Sequence, residues 1–179
     1  MTAQIHDSVR FAGEAYALVG CSDGEPFLPA DVGYRPVMAS TACWRGYMCG
    51  YEVKDGWLHL RDLSLNHRPD NPPGHSPEGA PHLRQPQPQP PDLHGVAAVW
   101  EDMSLMGNWY FCDVSLPLSY TGGLVIGRDF IRALDEHMGF EPAWKYRFVH
   151  ELLFEQGRLV QSRDVSLEME RLRVRAAGR

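Results

Sequence analysis

His150 has the strongest claim to chemistry in this sequence. It shares strand parity with Phe148 and Leu152 in the run from Tyr146 to Phe154, which puts an imidazole on the face its apolar neighbours mark as core. Imidazole titrates near neutral pH, so an inward histidine can be a general acid or base beside a bound substrate. The commoner arrangement is a core histidine satisfied by a hydrogen bond. Arg45 and Tyr120 would complete a catalytic set by orienting a developing anion. Glu151 is no partner for His150, because adjacent strand residues point to opposite faces.

Other chemistries find less support. Cys43 lies in Ser40-Thr41-Ala42-Cys43-Trp44-Arg45-Gly46-Tyr47, but a buried core thiol explains it better than an activated nucleophile. No metal site is expected: C-x-x-C and H-E-x-x-H are absent, and Cys43 and Cys49 would stand about 20 Å apart on one strand. His67, His75, His82 and His94 fall in or beside a loop too irregular to preorganise an ion. Gly122-Gly123 precedes a predicted helix without phosphate-loop spacing and is expected to serve a turn. Trp44, Trp144 and Lys145 are the candidate partner-binding residues, since tryptophan is enriched at interfaces.

The elements that must position these residues are mostly strands. Tyr47, Cys49, Tyr51 and Val53 alternate, Asp55-Gly56 signals a hairpin, and Leu58 and Leu60 begin the return. The return strand shifts phase at Arg61-Asp62 before Leu63 and Leu65, as a bulge would require. A second hairpin turns at Gln156-Gly157, and an opening hairpin lies around Gly13-Glu14. Trp109–Leu116 and Leu124–Ile126 read as further strands. One helix is expected from Asp129, as N-cap, through Phe130, Leu134 and Met138 to Gly139, with His137 in its last turn. The stretch 165–175 fits both periods and is read as strand. His67 to Pro91 holds nine of the 14 prolines and is expected to be a flexible surface loop, dispensable for folding. The fold class is mainly β, a β-meander barrel or sandwich with one short α-helix, with α+β as the alternative. Residues 1–179 are expected to form one domain interrupted by that loop.

Composition narrows the partners. The chain has 179 residues, 44% hydrophobic and 22% charged, with 17 basic against 23 acidic side chains and a formal charge of −6. That balance suits a soluble domain and speaks against nucleic-acid binding. Neither a signal peptide nor a membrane-spanning stretch is legible, so a cytoplasmic location with four reduced cysteines is expected. The expected function is a non-catalytic binding protein that covers a protein partner. The alternative is a small β-barrel enzyme, free of cofactors, that acts on a compact organic ligand through His150, Arg45 and Tyr120.

Overall fold

Three tight turns organise the strands. Ala12-Gly13, Asp55-Gly56 and Gln156-Gly157 all take positive φ at both positions, the conformation that matches the twist of paired strands. They join β1 (Ser8–Phe11) to β2 (Glu14–Cys21), β3 (Tyr47–Lys54) to β4 (Trp57–Leu65), and β9 (Tyr146–Glu155) to β10 (Arg158–Asp164). The other strands among the described residues are β5 (Val99–Trp100), β6 (Trp109–Phe111), β7 (Leu116–Pro117) and β8 (Gly122–Phe130), and a helix, α1 (Ser166–Ala177), follows β10. The computed structural model describes residues 3–69, 88–101, 107–136 and 139–177. Among the described residues the fold is mainly β with a single short α-helix.

The chain forms two compact units. The first comprises Met1–Pro26, Tyr51–His59 and Pro117–Arg179; the second comprises Phe27–Gly50 and Leu60–Leu116. In the first, to which β3 and β4 contribute Tyr51–His59, the strands follow the order β10-β9-β8-β2-β1-β3-β4, and β4 returns to β10 where Trp57 pairs with Arg158. Leu58 N–H donates to Gly157 O and Leu159 N–H to Gly56 O, both at 2.8 Å, and these bonds seal the ring. A seven-stranded β-barrel results, and closure removes most of the sheet's open edges.

Val9, Leu58, Leu124, Ile126 and Phe154 are fully buried, with Leu152 and Tyr51 at 1% exposure. Strand alternation turns this set to the barrel interior. A second apolar layer lies on the outside, where Tyr146, Val149 and Val165 pack with Val19, Val125 and Met169. Gly127 is required there, since a Cβ on it would meet the Tyr146 ring at 2.6 Å.

The helix is not where the sequence placed it. Phe130 pairs with Tyr146, so β8 runs through the expected N-terminal turn, and Asp129 takes a positive φ instead of capping a helix. Only a 3₁₀ turn, Arg132–Leu134, follows, and Leu134 is partly exposed; His137 and Met138 lie outside the described residues. The 165–175 stretch, read as strand, is instead helical. Asp164 accepts from both Ser166 N–H (2.9 Å) and Ser166 Oγ–H (2.6 Å), a local turn that leads the chain into α1. Arg173 fastens the far end by donating to Trp144 O and Tyr146 O.

The second unit is built around the end of β4. Leu63, Leu65 and Phe111 are fully buried, and Tyr34 stacks on Phe111 at 5.6 Å. Asn66, fully buried, donates to Val37 O and Met38 O and accepts from Asn108 Nδ2. His67 and Pro90, expected in the flexible loop, are both buried, because His67 Nδ1 accepts Arg35 N–H at 3.0 Å and the flanking Tyr34 hydroxyl holds Pro91 O. The proline-rich stretch between them, from residue 70 to 87, lies outside the described residues. Among the described residues no helix is long and apolar enough to cross a membrane.

Candidate functional site

A concavity in the first unit lies on the outer face of β2, β8, β9 and β10. It is a half-open groove of about 450 Å³. Gly20 and Gly123 leave its floor without side chains, while Cys21, Leu153, Gln161 and Arg163 raise its walls. A Cβ on Gly123 would come no closer than 3.5 Å to any neighbour, so the hollow there is not forced by backbone strain. Gly123 N–H donates to Ser22 Oγ at 2.8 Å, which ties the floor to the end of β2.

The rim carries the charge. Arg163 meets Glu151 through Nη2 at 2.7 Å and Nε at 3.2 Å, and Glu168 of α1 adds to its negative surroundings. Hydrogen bonding and charge from Glu151 hold the guanidinium above its ordinary pKa. Leu153 remains 42% exposed within this apolar surface. Such an arrangement can receive an apolar group and discriminate by charge at its edge.

Of the residues expected to do chemistry, His150 and Tyr120 belong to the first unit and Arg45 to the second. His150 is half-buried and inward, its ring set edge-on to Phe11 (5.7 Å) and Tyr16 (5.6 Å). Tyr120 is buried against Phe154, donates to Gly123 O at 3.3 Å, and has its pKa raised chiefly by burial. Since Phe154 lies four residues along β9 from His150, the two rings are separated by about 13 Å of strand. Arg45 belongs to the second unit, where it lies over the Tyr47 ring at 4.8 Å. Phe148 does not share the core position its parity implied. It is 44% exposed at the end of the barrel, beneath the Arg128 guanidinium.

The partner-binding candidates divide. Trp44 is 54% exposed, and Trp144 is half-buried. Lys145 is 1% exposed, its ammonium held by Glu141 at 2.7 Å and Glu136 at 3.1 Å, so it is no free surface cation. Burial opposes that charge, but Glu141 and Glu136 outweigh it and raise the lysine pKa. Cys43 is buried with its thiol donating to Tyr47 O, as a core cysteine should be. None of the four cysteines is joined in a disulfide.

Two features escaped the sequence. The groove depends on glycines brought together from β2 and β8, which are separated by about a hundred residues of chain. In the second unit Asp62, Cys112 and Asp113 bring donor atoms within 4.8 Å of one another. Arg61 already contacts both carboxylates, at 3.4 and 3.5 Å, and burial together with Asp113 and Asp62 raises the Cys112 pKa, which disfavours thiolate. Comparison with known proteins finds no matching family model, no matching curated protein and no matching solved structure.

Proposed function

We propose that this is a non-catalytic binding protein of the cytoplasm, which covers a protein partner with the outer face of β8, β9 and β10. The observation that carries the reading is the groove, an apolar hollow with an exposed leucine and a charged rim on the outside of the barrel. Protein interfaces pair an apolar centre with a polar rim in this way. Val9, Leu58, Leu124, Ile126, Leu152 and Phe154, by contrast, pack the barrel interior at close to zero exposure. A small ligand is usually enclosed over most of its surface, which a half-open groove on a sheet does not provide.

The test is affinity capture from the native cell with three variants alongside the parent. Leu153→Asp puts a charge in the groove, Gly123→Ala fills its floor, and Val174→Asp changes an exposed apolar residue of α1. Support requires a protein that the parent and Val174→Asp retain and the two groove variants lose. A partner retained equally by all four proteins would refute the assignment of this face.

A further inference from the structure

We propose that the partner enters as an extended basic segment that adds a strand to the free edge of β10, an inference that rests on the groove being the binding face. β10 is sealed against β4 only at its start, where Arg158 pairs with Trp57 and Leu159 N–H reaches Gly56 O. From Gln161 to Asp164 the side away from β9 pairs with no strand among the described residues. Val165 N–H donates to Val149 O across from β9, so alternation turns the N–H groups of Ser162 and Asp164 outward. Residues 160–164 are all exposed. An edge of this kind is a template for strand addition.

The edge and the groove share residues. Gln161 and Arg163 line the hollow and also belong to the open strand, so an added strand would run along the groove's wall. Its outward-facing side chains would continue the apolar surface beyond them. The bulge between Leu159 and Gln161 distorts the start of the edge and restricts pairing to the four residues that follow.

Charge selects the occupant. Arg163 is the one cation in this stretch of β10 and is already engaged by Glu151, while Asp164 and Glu168 add two further exposed carboxylates. The local balance is negative, as is the chain at −6. A segment alternating apolar and basic side chains would place one set over the groove and the other among the carboxylates.

The probe is an acetylated, amidated octapeptide of alternating lysine and valine, compared with the glutamate–valine peptide at equal ionic strength. Amide hydrogen exchange on the parent protein is the readout. The lysine peptide at millimolar concentration should slow exchange at Ser162 and Asp164 by about tenfold or more, and the glutamate peptide should not. Ser162→Pro, which removes one outward N–H, should abolish that protection at Asp164 while circular dichroism stays unchanged. Exchange unaffected by either peptide, or slowed equally by both, would overturn the inference. If capture of the native partner fails with Leu153→Asp but survives Ser162→Pro, the groove reading stands and the edge is not used. If peptide protection is seen while capture ignores both groove variants, the edge stands and the groove reading falls.

Discussion

Replacing Lys145 by methionine removes a cation that is 1% exposed and leaves its carboxylate partners behind. The two partners are unequal. Glu141 has a side chain only 10% exposed, whereas Glu136 is 72% exposed and can turn to water. Breaking a buried ion pair from one side costs about 3–5 kcal/mol, because the remaining charge is stranded. Lys145→Met should therefore fall in that range, dominated by Glu141, while Glu136→Gln should cost about 1 kcal/mol or less. The double change Lys145→Met with Glu141→Leu should recover much of the loss, since it removes both charges at once. Urea unfolding followed by tryptophan fluorescence is a direct assay, because Trp144 stacks 5.5 Å from the Lys145 ammonium. With a denaturant slope of about 1–3 kcal/mol per molar, a loss of 3 kcal/mol moves the midpoint by roughly 1–3 M. A Lys145→Met protein with the parent's midpoint would refute the reasoning. So would a Glu136→Gln cost equal to that of Glu141→Gln.

Three further outcomes follow from burial and hydrogen bonding. Phe154→Ala should cost about 3–5 kcal/mol because the ring is fully buried, whereas Phe148→Ala should cost far less; thermal or urea unfolding of the pair checks the register of β9. His150→Ala should lose about 1–3 kcal/mol, since each of its two edge-on aromatic contacts contributes ~0.5–1.5 kcal/mol, and an unchanged unfolding midpoint would contradict its packing role. His67 has its pKa lowered by burial and then by Arg35, and its Nδ1 must stay unprotonated to accept Arg35 N–H. With a folded value below the unfolded one of about 6.5, its stabilisation is complete above that pH and is lost as pH falls through the folded value. Stability measured between neutral and mildly acidic pH should be flatter in His67→Gln than in the parent.

The hairpins were legible because their turns carry local chemistry: Asp55-Gly56 and Gln156-Gly157 need positive φ, and the flanking alternation gives each strand one buried face. The phase shift in β4 was equally plain, and Leu58, Leu60, Leu63 and Leu65 are all fully buried across it. The helix was misplaced for a physical reason. Phe130 and Leu134 fit a helical period, but pairing with Tyr146 recruits Phe130 into the sheet, a long-range effect that no local pattern reports. Val165, Leu167 and Met169 alternate like a strand, while the Asp164 contacts to Ser166 that lead into α1 involve a residue that also reads as the end of β10. Parity assigned His150 to the inner face but overstated the burial of Phe148, because a barrel's ends are open to solvent. The groove was not legible at all, since its floor joins Gly20 to Gly123 only after the sheet is assembled.

Site-specific photocrosslinking in the native cell tests most directly whether the outer face of β8–β10 is where a partner sits. A benzophenone side chain would replace Leu153 in the groove and, in a second protein, Val174 on α1, which is 70% exposed. The proposed function predicts a discrete protein adduct from position 153 that disappears when Gly123→Ala is added, with no such adduct from position 174. Adducts of the same protein and yield from both positions, or from 174 alone, would contradict it.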